Sequence, residues 1–270
     1  MTSLVAWAGV DSHGPASVYV ATDSRISWGA GTTWDFGRKV FASRSRPELF
    51  GYVGDVLFPS LVLGQISDTP GPSRLSDDRF GQQRFERISG SLKATFDTLP
   101  SREKRAFRIA YAARYGEGMN AKFKFFSLGW NDPSGWHSET SEIPRVSDSL
   151  AIWGSGAKTV ELWKDRWSRS SQGGTSRAIF ASFCDAVASG QDSLSGGAPQ
   201  LVALYRIGPA RSIGIVHGGQ PFIYGLAADS VDHSRDSVEW RNHLFERCEP
   251  SGDRLAAAQL HHSPKGLGGK

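Results

Sequence analysis

The sequence predicts an α+β protein of four layers, an αββα sandwich in which two antiparallel sheets pack face to face and helices cover the outside. Three observations lead there. Stretches of alternating polarity and stretches of helical spacing succeed one another as strands, helices, strands, helices, strands. The 31 glycines and 9 tryptophans favour many strands joined by tight turns. No repeat and no linker divides the 270 residues, which suffice for one large core.

The elements are expected in this order. Met1 to Val10 is a short apolar strand with a hydroxyl residue, Thr2, directly behind the first methionine. A long hairpin turn, Asp11 to Ala16, leads to a second strand, Ser17 to Thr22, which ends on Asp23-Ser24-Arg25. After a glycine-rich turn, Trp28-Gly29-Ala30-Gly31-Thr32, strands are predicted at Gly37 to Ala42 and Glu48 to Gly54, split by a turn around Ser45-Arg46-Pro47. The period then changes. Val56, Leu57, Leu61, Val62 and Ile66 fall near helical spacing, with Asp55 as the cap. Residues 67 to 80, rich in Pro, Gly, Ser and Asp, read as a loop. Phe85, Ile88, Leu92 and Phe96 form the stripe of a second helix that Pro100 ends. Strands follow at Ala106 to Ala113, Lys122 to Trp130, Gly135 to about Ile143 and Ser149 to Trp153, the last running into the turn Gly154-Ser155-Gly156. Helices resume over Lys158 to Trp167 and Ser176 to Ala188. Three strands close the domain: Gln200 to Ile207, Arg211 to His217 and Gln220 to Leu226. The domain is placed at residues 1–227, and residues 228–270 are a polar C-terminal extension expected to be partly disordered.

Composition excludes several classes. The chain carries a net charge of +4, but its Lys and Arg are spread along it with no basic stripe among aromatics, so no nucleic-acid partner is expected. No stretch approaches the roughly 18 apolar residues of a membrane span, and no signal peptide is read at the start, so the protein is expected to be cytoplasmic. Cys184 and Cys248 give neither a disulfide framework nor a metal cluster. His13, His137, His217, His233, His243, His261 and His262 are scattered without ligand spacing, so no metal and no cofactor is expected. A Gly-x-Ser-x-Gly elbow, a phosphate loop and a dinucleotide fingerprint are all missing from the sequence.

The chemistry points to the first residues. With Met1 removed, Thr2 carries a hydroxyl and a free α-amine together at the head of a strand, and such an amine can serve as the base that activates the hydroxyl. Its reference pKa, roughly 7.7 to 8, suits that work near neutral pH.

Ordered motifs over about residues 2 to 226 resemble the proteasome-type N-terminal nucleophile hydrolases, the proteasome β subunits and their bacterial relatives. They are the strand behind Thr2; Val20-Ala21-Thr22-Asp23-Ser24-Arg25; Lys39 within Gly37-Arg38-Lys39-Val40-Phe41, sixteen residues beyond Asp23; Tyr52-Val53-Gly54-Asp55; Ile152-Trp153-Gly154-Ser155-Gly156; and Asp192-Ser193-Leu194-Ser195-Gly196-Gly197. Each alone is weak, and their order with a penultimate Thr makes the pattern specific. An alternative reading of the last motif at Asp185 and Ser189 is one residue too long. The hairpin at Asp11 to Ala16, the stretch Pro70 to Phe80 and the tail after Ala228 depart from the family pattern and put ring assembly in question.

The resemblance implies the same four-layer fold and a set of roles. Thr2 would be the nucleophile, Lys39 the neighbouring cation and Asp23 its partner. The N–H of Gly54 would face the oxyanion, and Ser155, Asp192 and Ser195 would orient the amine and its water. Each residue also has an ordinary reading: Asp23 as a turn former, Lys39 on a solvated strand edge, Ser155 in a glycine turn, Asp192 as a loop cap. The expected function is a threonine-type peptidase or amidase acting on a peptide or protein. The alternatives are a catalytically silent proteasome-like subunit serving as scaffold or binding module, and an amidase for a small molecule. A homo-oligomer, ring or dimer, is expected, and whether an ATPase partner exists is left open.

Overall fold

Nine-residue β1 (Ser3–Asp11) is buried along its first seven residues, because both of its faces are covered. Leu4 and Ala6 point one way, Val5 and Trp7 the other, as the period of a strand requires. The computed structural model describes residues 2–28, 31–71, 75, 78–228 and 238–258. From β1 the elements run β2 (Gly14–Thr22), β3 (Ile26–Ser27), β4 (Thr33–Trp34), β5 (Val40–Ala42) and β6 (Glu48–Gly54), then α1 (Leu57–Asp68) and α2 (Asp78–Asp97). Next come β7 (Phe107–Tyr115), β8 (Lys122–Asn131), β9 (Gly135–Ser141) and β10 (Asp148–Gly154), then α3 (Ala157–Ser168) and α4 (Ser176–Ala188). The chain continues through β11 (Gln200–Tyr205), β12 (Arg211–His217), β13 (Gln220–Ile223), β14 (Leu226–Ala227), β15 (Glu239–Arg241) and β16 (Arg247–Cys248).

One sheet has the order β10-β1-β2-β11-β12-β13-β14, with β15 and β16 added beside β12; the other is β5-β6-β7-β8-β9. Three apolar clusters mark the four layers. Leu4, Val18, Val20 and Val202 of the first sheet meet Val40, Leu49, Ala110 and Phe125 of the second. On the outer face of the first sheet, Val5, Trp7 and Tyr19 pack on Val160 of α3 and on Ile179, Phe180 and Phe183 of α4. On the outer face of the second, Phe50, Tyr52 and Tyr111 pack on Phe58 and Leu63 of α1 and on Phe85, Ile88, Leu92 and Phe96 of α2. Each such side chain contributes about 1.5–3 kcal/mol by leaving water. The α+β, αββα architecture is therefore the one the alternation of periods predicts.

Four local expectations change. The first hairpin is tight: Asp11 pairs with Gly14 across Ser12 and His13, and a register shift between Gly9 and Val10 absorbs the residues read as a long turn. Helix α2 begins at Asp78, inside the expected loop. The strand expected over Gln220 to Leu226 is broken at Tyr224 and Gly225, whose φ values of 54° and 82° leave the extended region. Part of the expected extension belongs to the domain: β15 lies parallel to β12 and antiparallel to β16, and Phe245 joins the cluster of Trp7 and Tyr19. The rest of the extension, residues 229–237 and 259–270, lies outside the described residues, as do Met1, Gly29 and Ala30. Among the described residues no helix is long and apolar enough to cross a membrane.

Candidate active site

The end of β2 and the start of β1 lie side by side, since Leu4 pairs with Thr22. Asp23, the next residue, is therefore delivered to the head of β1, and its N–H donates to the Ser3 carbonyl at 3.2 Å. Its carboxylate is fully buried and receives four donors. Oδ1 accepts from Ser3 N and from Lys39 Nζ, both at 3.0 Å. Oδ2 accepts from Gly196 N at 3.0 Å and Arg25 N at 3.1 Å. A donor-only environment of this kind suits an ionised carboxylate, which can only accept. Burial nevertheless pushes the Asp23 pKa up, with the Lys39 charge and the N–H donors acting against it.

Lys39 enters from the segment before β5, and it too has no solvent exposure. Its ammonium also donates to the Arg25 carbonyl. Burial lowers its pKa below that of an ordinary lysine, and Asp23 opposes the shift. Gln200, at the start of β11, fixes the backbone around this pair. Its Oε1 accepts from Lys39 N at 3.1 Å, while Nε2 donates to the Asp23 carbonyl at 3.2 Å and the Gly37 carbonyl at 2.6 Å.

A second group forms where β10 turns into α3 and where α4 gives way to β11. Ser155 Oγ and Ser195 Oγ donate to Asp192 Oδ2 at 2.8 and 2.7 Å, and Ser195 Oγ lies 2.8 Å from Ser3 Oγ. Ser3 thus joins the two groups: its N–H reaches Asp23 and its hydroxyl reaches Ser195. The sequence reading did not single out Ser3, Gln200 or Gly196. The signal for Ser3 was a second hydroxyl directly behind Thr2. Arg25 clamps the 192–197 loop from outside, with a two-pronged pair to Asp35 at 2.7 and 2.8 Å and a bond to the Ser193 carbonyl at 3.1 Å. Hydrogen bonding to Arg25 holds the Asp35 pKa below the usual carboxylate value.

Thr2 directly precedes Ser3 in the chain. It is fully buried, and its Oγ1 has no hydrogen-bond partner among the described residues. Native side-chain hydroxyls this deeply buried are nearly always paired, so an orphan one calls for a reason. The turn beside it is glycine by necessity: with φ at +101°, Gly154 would place a Cβ 1.6 Å from the Thr2 carbonyl oxygen.

Gly54 is placed differently. A Cβ there would meet the Ala106 carbonyl at 2.4 Å and Phe107 Cα at 2.8 Å, both on the β7 side. At Gly51, on the same strand, it would meet Val20 Cγ1 at 2.6 Å and Leu4 Cδ1 at 3.2 Å. Gly51 is the glycine through which β6 closes on β1.

No protein-family model matches the chain, and no curated protein matches it by sequence. Solved structures do match. The BPH protein of Thiobacillus denitrificans aligns over 76% of this chain and 98% of its own, with 14% identity and a TM-score of 0.46. Its complex with epoxomicin gives 76%, 99%, 14% and 0.45. The eukaryotic HslV of Trypanosoma brucei aligns over 75% of this chain and 99% of its own, with 10% identity and a TM-score of 0.47.

Proposed function

We propose that this chain, once Met1 is removed, is a threonine-type hydrolase that cleaves a peptide or amide bond through an ester on Thr2. One observation carries the reading: a fully buried lysine–aspartate pair joined by Ser3 to a buried Thr2 whose hydroxyl has no partner. Thr2 Oγ1 attacks the amide carbon, and the freed α-amine takes the hydroxyl proton and passes it to the leaving nitrogen. The C–N bond breaks, an amine departs and an ester to Thr2 remains. Water, deprotonated by the same amine, then opens the ester and releases the acid. Lys39 supplies a positive charge beside the developing alkoxide, and Asp23 keeps that charge in place. Ser155, Asp192 and Ser195 act through Ser3 on the position of the amine. A backbone N–H of β6 meets the oxyanion, worth about 2.7–4 kcal/mol for one preorganised donor. Gly54 is the donor expected from sequence.

The same reading makes the protein a cytoplasmic homo-oligomer, and the mass of the native assembly tests that. Chemically, intact mass is expected to show loss of Met1, and a peptide boronate or epoxyketone to label Thr2. Thr2→Ala is expected to reduce peptide hydrolysis by about a thousandfold or more while leaving the melting temperature near that of the parent. Unchanged turnover in Thr2→Ala would end the proposal. A silent subunit is the second reading, and the complete burial of Thr2 favours it. Under that reading the processed chain takes no label and hydrolyses nothing.

A further inference from the structure

At the far end of α4 from the 192–197 loop lies a cavity of about 330 Å³. Its wall is formed by Thr175, Ser176 and Arg177 at the start of the helix, by Arg241, Phe245, Glu246 and Arg247, and by Ala257 and Ala258. Three arginines and one glutamate line this small space, and with Arg241 paired to Glu239 the set keeps an excess of one positive charge. We propose that this cavity binds the phosphate group of a small molecule, gripped by Arg177 and Arg247 and backed by Arg241.

The three arginines are not equally committed. Arg241 is occupied: Nε and Nη2 donate to Glu239 Oε1 at 2.9 and 2.5 Å, and Nη1 donates to the Phe245 carbonyl at 2.8 Å. Arg177 gives Nη1 to Gln172 Oε1 at 2.5 Å, and its buried Nε has no acceptor among the described residues. Burial pulls its pKa down to about 10; Glu246 opposes that and Arg241 adds to it. Arg247 is exposed and forms no ion pair among the described residues. Planar forks of N–H donors match phosphate oxygens two at a time. Helix α4 adds its positive end: Thr175 Oγ1 caps Ala178 N, and the preceding N–H groups point the same way.

The contrast with the cavity between β10 and α3 is instructive. That space, about 480 Å³, is lined by Glu161, Lys164 and Asp165, and its lysine is held by Asp148 and Ser149 at 2.6 and 2.7 Å. It has no cation to offer. The arginine cavity is also remote from Thr2. The 13 residues of α4 separate it from the 192–197 loop by roughly 20 Å. On β1 its neighbour is Gly9, where a side chain would meet Ser176 Oγ at 2.8 Å. Binding there is independent of whether Thr2 is a nucleophile.

The test is calorimetric titration of the full-length protein at low salt with inorganic phosphate, and in a second arm with glycerol 3-phosphate. Sodium acetate and matched chloride serve as comparisons. One saturable site per chain is expected. Arg247→Ala, which removes an exposed side chain and leaves folding untouched, is expected to weaken it about tenfold. Arg177→Ala should do at least as much, and Arg177→Lys, which keeps the charge and loses the fork, should fall between. Tighter binding of the ester than of free phosphate identifies the source as a phosphorylated metabolite, and equal binding identifies the ion. The proposal is overturned by unsaturable heats up to 20 mM phosphate, a range set well above the mM-scale dissociation constants of weak sites. Equal affinity in Arg247→Ala, or equal binding of acetate, overturns it too.

Discussion

Two buried carboxylates, Glu48 and Asp23, show how differently one fold can use the same group. Both have no solvent exposure. Glu48 meets Arg46 Nε at 2.6 Å, Arg84 Nε and Nη2 at 2.9 and 3.2 Å, and the Tyr111 hydroxyl at 2.9 Å. Burial raises its pKa, but Arg84 and Arg46 outweigh burial and the net direction is down. Arg46 in turn donates to the Ile66 and Thr69 carbonyls at the end of α1. The cluster pins α1 and α2 to β6, with every partner satisfied. Asp23 has one cation instead of two, its net shift is upward, and it accepts from the N–H of Ser3, the residue that follows Thr2 and its orphan hydroxyl. A fully compensated charge holds structure together; under the proposed function the Asp23–Lys39 pair would instead serve the chemistry at Thr2.

The largest effect that separates them is on activity. Removing either side of a buried pair is expected to lower stability by about 3–5 kcal/mol. Lys39→Ala and Glu48→Ala should therefore both melt early. Only Lys39→Ala should also lose hydrolysis, by about a hundredfold or more at a temperature where both are folded. Loss of turnover per folded molecule in Glu48→Ala would break the distinction.

The next effect is on the pH dependence of folding. Glu48 has a folded pKa below its ordinary 4.5, so its contribution is complete above 4.5 and is lost as pH falls through the folded value. Asp23, raised above 3.8, has the opposite sign: its contribution is present at low pH and lost as pH rises. Lys39, depressed below 10.5, contributes above that value and loses it as pH falls. Glu48→Gln should flatten the fall in stability below pH 4.5 by at most about 1.4 kcal/mol per pH unit, and Asp23→Asn should steepen it. Denaturant midpoints across that range would reveal a reversed order.

The smallest effect concerns the link between the two halves of the site. Ser3→Ala removes the hydroxyl at 2.8 Å from Ser195 but keeps the N–H on Asp23, and Ser195 retains Asp192. A loss of about 1 kcal/mol in stability is expected. Its kcat should drop about tenfold and its pH–rate profile should shift, since the hydroxyls act on the position of the amine. A profile superimposable on the parent's would reduce Ser3 to packing.

The two core layers could be read from period alone, because β1, β2, α2 and α4 alternate or stripe without interruption. Asp23, at a strand end, and Lys39, within the next predicted strand sixteen residues on, stood out through the ordered motifs of the resemblance, as did Ser155, Asp192 and Ser195. Contacts that span the chain carry no such local mark. Gln200 reaches Lys39 across 161 residues and Ser3 reaches Ser195 across 192. The choice between Gly51 and Gly54 depends on which sheet each glycine faces, and both sit in one apolar run. β15 and β16 have three and two residues, too few to show a period, and they stand because Trp240 lies against Gly214. Tyr224 takes a positive φ without being glycine, so nothing in its identity announces the break between β13 and β14.

The position of β1 has a consequence for biosynthesis. Its first rung, Ser3 against Gly154, cannot close until the ribosome has delivered β10, and the cover from Ser195 comes later still. At about 5–20 residues per second, the head of the nascent chain stays open for roughly ten to thirty seconds.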